Sequence, residues 1–169
     1  IKKHMERGDY SRAAVAARIF IKTIGSDAEI RLLAAEAQRS MGNTNTALGH
    51  YKCALEHEPE NPYPHYGIML ALQEAYRWEE LSAAILRAEA SGVCDADDIY
   101  YYKIITAAHI DNPPEEVLPH LQALIQNGRA DSSIFNAMGC CYIKLNMPDF
   151  ALGWYERALS INEKDEEAK

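Results

Sequence analysis

The sequence predicts an all-α fold, a solenoid in which helical hairpins stack in a row. Its strongest sign is a repeat of apolar positions. Ala13, Ala47, Leu81, Val117 and Ala151 follow one another at steps of 34, 34, 36 and 34 residues. Each is followed, four and seven residues on, by further apolar residues: Ala17 and Phe20, Tyr51 and Ala54, Ile85 and Ala88, Leu121 and Leu124, Tyr155 and Ala158. That spacing lines one face of an α-helix. The second sign is the punctuation, because Gly-, Asn- and Pro-rich breaks fall between the periodic stretches. A hairpin of this size buries too little apolar surface to fold alone, whereas a stack of them shares one continuous core. On this ruler the single domain 1–169 divides into a partial unit 1–27 and units at about 28–61, 62–95, 96–131 and 132–165. A further unit starts at 166–169.

The elements follow in order. Residues 1–6 read as the tail of a helix, and Gly8-Asp9 as a turn. A helix from about Tyr10 to Thr23 carries the apolar positions Ala13, Val15, Ala16, Ile19 and Phe20, which include the 3 and 4 spacings of an amphipathic helix. Gly25 is a C-terminal stop, and Ser26 or Asp27 an N-cap. Residues 28–41 form the next helix, with Leu32, Leu33, Ala35 and Ala37 facing in. Gly42-Asn43 ends it in a left-handed turn. Thr44 or Asn45 caps a partner helix carrying Ala47, Leu48, Tyr51, Ala54 and Leu55. Pro59, Pro62 and Pro64 mark the crossing to the third pair, about 63–75 and 78–91, with Trp78 opening its second helix and Gly92 closing it. Asp95, Asp97 and Asp98 precede or open a helix over about 97–110, where carboxylates suit the N-terminal dipole. Asp111-Asn112-Pro113-Pro114 holds the two-residue insertion, and Glu115 to Gln126 forms the partner, ended by Asn127-Gly128. The last pair is 131–145 and 148–161.

Within that last pair, Phe135-x2-Met138-Gly139-x2-Tyr142 followed by Ala151-x3-Tyr155-x2-Ala158 resembles the tetratricopeptide repeat, whose pattern is W-x2-L-G-x2-Y and then A-x3-F at a 34-residue period. Small Gly139 and Ala151 let two helices approach, while Phe135, Tyr142 and Tyr155 fill the space beside them. Pro59 stands where the family places its Pro; Glu163 stands there in the last unit, a departure. The resemblance is close at 28–61 and 132–163 and loose at 96–128. It implies a right-handed superhelix whose first helices line a concave groove. Because the chain opens mid-repeat and closes at the threshold of another, the resemblance also suggests a fragment of a longer repeat protein.

Composition narrows the function. Seventeen basic against 25 acidic residues give a net charge of −8, which disfavours nucleic acid and anionic membranes as partners. No apolar run approaches the roughly 18 residues of a membrane span, and no signal-peptide pattern is present. Cys53, Cys94, Cys140 and Cys141 form no C-x-x-C pair, so free thiols in a reducing, cytoplasmic compartment are expected. His50, Cys53 and His57 share one helical face. They lack a fourth ligand and read as an exposed face, so no metal or other cofactor is expected. The vicinal pair Cys140-Cys141 points in different directions. His109, beside Asp111, reads as a helix C-terminal cap. No G-x-S-x-G, phosphate-cradling loop or H-E-x-x-H occurs, and no enzyme class is supported.

The resemblance places ligand-facing residues on the exposed side of each first helix. They are Glu29, Leu32, Glu36 and Arg39; then Tyr63, Tyr66, Leu70 and Gln73; some of Tyr100, Tyr101 and Tyr102; and Ser133, Asn136, Cys140 and Ile143. Tyr63 and Tyr66 would anchor a peptide or protein segment, and Glu29, Glu36 and Arg39 would supply rim charge. The family's positively charged grip on a C-terminal carboxylate is missing, since its matching positions include Leu32, Glu36, Gly67 and Tyr63. The expected function is a protein-interaction scaffold. Alternatives are a regulatory or substrate-presenting segment of a larger multidomain enzyme, and a module that forms homo-oligomers through uncapped repeat ends.

Overall fold

The computed structural model describes residues 1–25 and 27–167, with side chains as far as Ile161. Among the described residues the chain forms ten helices and no strand. In order they are α1 (Lys2–Glu6), α2 (Tyr10–Thr23), α3 (Ala28–Ser40), α4 (Thr44–His57), α5 (Tyr63–Glu74), α6 (Trp78–Ser91), α7 (Ala96–His109), α8 (Pro114–Gln126), α9 (Ser132–Lys144) and α10 (Pro148–Glu167). The chain falls into two compact units, Ile1–Ala96 and Asp97–Lys169. In the first, α3 packs on α2, α4 and α5, and α5 packs on α4 and α6; in the second, α9 packs on α8 and α10.

The ruler residues are the core. Ala13, Ala47, Leu81, Val117 and Ala151 are all buried, and so are Ala17, Tyr51, Ala54, Ile85, Ala88, Leu121, Leu124 and Ala158. Two glycines explain how the helices come so close. The Tyr51 ring lies on the backbone of Gly67, and the Tyr155 ring on that of Gly139, so a Cβ at either glycine would overlap the ring. Phe135 meets Trp154 with ring centroids 5.6 Å apart, and Tyr142 stacks on Phe150 at 5.7 Å. Not every apolar position of α2 is buried: Val15 and Ile19 are 44% and 56% exposed. Ala13 and Ala17 already fill the narrow contact, and side chains two positions away point outward.

The hairpin turns repeat too. Gly8, Gly42, Tyr76 and Asn146 all take left-handed backbone, with φ of 69°, 75°, 55° and 58°. After each, the next N–H donates to the carbonyl five residues back: Asp9 to His4 and Asn43 to Gln38, Arg77 to Leu72 and Met147 to Tyr142, each at 2.9 Å. This closure satisfies carbonyls that a helix end leaves without partners. Asp27 caps α3 by accepting from the Ile30 N–H at 2.8 Å; Ser26, the other expected cap, lies outside the described residues. At the other end α10 continues through Glu167 rather than stopping near 161. Residues 168–169 of the expected further unit lie outside the described residues.

Candidate functional site

In the first unit the candidate residues occupy two adjacent helices. Glu29, Leu32, Glu36 and Arg39 lie on α3, and their counterparts 34 residues on, Tyr63, Tyr66, Leu70 and Gln73, lie on α5. Helical spacing puts each set along one face. Tyr63 is 71% exposed at the start of α5, where the Asn61 side chain accepts its N–H at 3.0 Å. Leu32, Tyr66, Leu70 and Gln73 are half-buried. Tyr66 is engaged through its hydroxyl, which accepts the Asp95 N–H at 2.8 Å and ties α5 to the segment after α6.

The charged members are tied into the fold. Glu29 is exposed and pairs with Lys2 at 2.5 Å. Arg39 donates to Glu36 at 2.7 Å and to Glu74 at 2.6 Å, bridging α3 and α5. Glu36 also accepts the hydroxyl proton of buried Tyr51. Burial opposes the charge on Arg39, yet its two carboxylate partners outweigh that and raise its pKa. Burial and the Glu36 carboxylate likewise raise the Tyr51 pKa. Glu36 and Arg39 therefore hold hairpins together, whatever else they contact. Tyr51 and Glu74 complete this group and were not among the sequence candidates. The signal was present, for opposite charges 35 residues apart sit one repeat apart.

The second unit has its own version. Arg129, between α8 and α9, donates to Asp98 at 2.5 Å and lies over the Tyr101 ring, 5.2 Å from its centroid. Tyr101 donates to Asp131 at 2.9 Å, while Asp131 caps α9 by accepting the Ile134 N–H at 3.0 Å. Burial, then the Asp131 charge, pushes the Tyr101 pKa up. Tyr100 bonds His120 at 2.7 Å, and Tyr102 meets Tyr101 edge-on at 5.3 Å. Of this trio, Tyr100 is the exposed one. On α9, Ser133, Asn136 and Cys140 are half-buried and Ile143 is exposed.

Cys140 sits in a polar cluster. Tyr155 approaches its sulfur at 3.6 Å, and His109 is held at the end of α7 by an Nδ1 bond to the Ile105 carbonyl at 2.9 Å. Burial pushes the Cys140 thiol up, but hydrogen bonds from His109 and Tyr155, aided by the His109 and Lys144 charges, hold it below the ordinary thiol value. Its neighbour Cys141 is fully buried and is pushed up to about 11, chiefly by burial. Of the face with metal-ligand residue types, His50 contacts Arg31 at 3.2 Å while His57 is exposed. Among the described residues no three His, Cys, Asp or Glu side chains are gathered to hold a metal ion. None of the described helices is long and apolar enough to cross a membrane.

Comparison with known proteins agrees with this architecture. The tetratricopeptide repeat family profile matches residues 134–169. No curated protein matches the chain in sequence. Among solved structures, a crystal structure of MamA superimposes with a TM-score of 0.64 at 18% identity, covering 98% of this chain and 95% of MamA. MamA 41-end from Desulfovibrio magneticus RS-1 gives 0.68 at 13% identity, covering 96% and 91%. YrrB, described as a tetratricopeptide-repeat protein with an unusual peptide-binding site, gives 0.56 at 22% identity, covering 89% and 77%. At these identities the likeness is one of fold.

Proposed function

We propose that the chain is a tetratricopeptide-repeat protein, a protein-interaction scaffold in broad class, and that it holds a peptide or protein segment along the first-helix faces of α3 and α5. The observation that carries the reading is Tyr63. A large aromatic side chain is left 71% exposed on the same face as half-buried Tyr66, Leu70 and Leu32. An exposed ring beside apolar neighbours is what a binding hot spot requires, because a ligand can cover it without reordering the protein. Specificity would come from Glu29, Gln73 and the outer edge of the Arg39–Glu74 pair, since polar rims set register more than affinity.

The test uses a peptide selected from a random display library against the intact chain and titrated calorimetrically. Tyr63→Ala is expected to weaken it more than tenfold, about 1.4 kcal/mol or more, with an unchanged circular dichroism spectrum. Tyr66→Phe retains the ring and is expected to bind nearly as well as the parent. Equal affinity for Tyr63→Ala and the parent overturns the reading.

A further inference from the structure

A cavity of about 430 Å³, lined by none of the residues proposed above to hold a ligand, lies in the crevice between α2 and α4 with α3 as its floor. Its polar lining is one-signed. Arg18 and Lys22 come from α2, Arg31 from α3 and His50 from α4, and no carboxylate lines it. This occurs in a chain of net charge −8, so the cationic lining runs against the composition. The remaining wall includes Val15, Ile21 and Met41. Val15 and Met41 are 44% and 43% exposed, apolar surface that water covers poorly. Burial and the neighbouring Arg31 charge lower the pKa of His50, the effect expected where positive potential has collected.

The repeat supplies an internal control. Moving each lining position 34 residues on gives the crevice between α4 and α6, and there the chemistry differs. Leu48 replaces Ala14, Glu56 replaces Lys22 and Glu80 replaces Thr46. Arg77, in the place of Asn43, donates to Glu80 at 2.7 Å and reaches across to Asn45 on α4 at 2.7 Å. In the first crevice Asn43 instead bonds Gln38 of its own hairpin at 2.9 Å. The second crevice is thus filled by Leu48, balanced in charge and bridged by Arg77. At the same positions the first has the small Ala14, the cation Lys22 and the neutral Thr46 and Asn43.

We propose that the α2–α4 crevice is a second binding site, which takes an acidic, amphipathic segment of a partner protein. Carboxylates of that segment would meet Arg18, Lys22 and Arg31, and an aliphatic side chain between them would cover Val15, Ile21 and Met41. Guanidinium groups suit carboxylates because they donate in a planar fork. The apolar wall selects against a bare anion, since a free phosphate or a nucleic-acid backbone offers nothing to bury there.

The probe is the acetylated, amidated peptide Glu-Leu-Glu-Glu-Ile-Glu, carrying a fluorophore and titrated into the full chain by anisotropy. Saturable binding is expected, together with movement of the His50 imidazole resonances in NMR spectra. The double variant Arg18→Glu, Lys22→Glu should weaken it at least tenfold with its helical spectrum intact. Lys52→Glu, at the position of Arg18 in the neighbouring crevice, reverses a charge outside this crevice and should leave binding within twofold. Tyr63→Ala should also bind the peptide normally, which separates this site from the α3–α5 face. The all-Gln analogue should bind at least tenfold more weakly. Absence of saturation, equal binding of the Gln analogue, equal losses in the Lys52→Glu control, or tighter binding of a thymidine oligonucleotide than of the peptide would each overturn the proposal.

Discussion

Tyr51 shows how much one side chain can settle. Its ring occupies the space that a Cβ at Gly67 would need, and its hydroxyl joins Glu36 and Arg39. Tyr155 covers Gly139 in the same way. Two other helical glycines, Gly49 and Gly153, have no atom within 4 Å of a built Cβ. Alanine is favoured over glycine in a helix by about 1 kcal/mol, so the four substitutions should divide cleanly. Gly49→Ala and Gly153→Ala are expected to raise stability by about 0.5–1 kcal/mol. Gly67→Ala and Gly139→Ala are expected to lower it by about 1–3 kcal/mol through overpacking. Urea denaturation of the four variants checks this.

Histidine titration belongs to the same scale. Burial, with Arg31 beside His50 and Arg87 near His65, lowers both pKa values from 6.5. In that window the unfolded chain binds more protons than the folded one, so stability rises with pH. It should therefore fall as pH drops from about 7.5 through 6.5 toward the lowered folded values, and the His50→Gln, His65→Gln variant should show a flatter dependence. Thermal melts across that range decide it. Thiol chemistry gives a further contrast. Cys140 is half-buried and held low, whereas Cys141 is fully buried and raised to about 11. Iodoacetamide should label Cys140 well before Cys141, as peptide mass mapping would show, because the thiolate is the nucleophile.

Among the elements, the turns carry the instructive repetition. Four hairpin turns place one left-handed residue at equivalent register, yet the residues there are Gly8, Gly42, Tyr76 and Asn146. Glycine and asparagine accept this backbone readily, and a turn at either was legible in the sequence. Tyr76 was not legible, because tyrosine disfavours positive φ. Its ring packs edge-on against Trp78 at 5.9 Å, a contact of the right size to offset part of the strain. Gly42 has open space around a built Cβ, so Gly42→Ala tests the backbone term alone. It should destabilise by about 1 kcal/mol, seen as a lowered urea midpoint with an unchanged slope. Side-chain bridges between elements show the period again. Arg39 to Glu74, Arg77 to Asn45, Asp98 to Arg129, Tyr101 to Asp131 and Lys144 to the Ile110 carbonyl span 30 to 35 residues. These spans equal about one hairpin, so each joins a helix or turn to its neighbour in the next hairpin.

For the whole molecule, the two compact units each hold a core of their own. Tyr51, Met69 and Leu81 are fully buried in Ile1–Ala96, as are Ile105, Leu121 and Ile134 in Asp97–Lys169. Repeat proteins gain stability locally, from neighbours in contact. The piece 1–96, made alone, is therefore expected to be helical and to melt cooperatively; a random-coil circular dichroism spectrum would contradict this.

The amino-acid order alone determined that the chain is helical, that turns fall at Gly8, Gly42 and Asn146, and that Ala13, Ala47, Leu81, Val117 and Ala151 are buried at equivalent places in the core. Those properties depend on periodicity and on local turn chemistry, both of which are written in neighbouring residues. Which candidate side chains remain open to a ligand was decided only by tertiary structure. Helical spacing puts Glu36, Arg39 and Tyr66 on the same faces as Tyr63, yet Glu74 engages Arg39, Tyr51 engages Glu36 and Asp95 engages Tyr66. The cationic crevice was hidden for the same reason: Arg18, Arg31 and His50 come from three helices, and only packing brings their charges together.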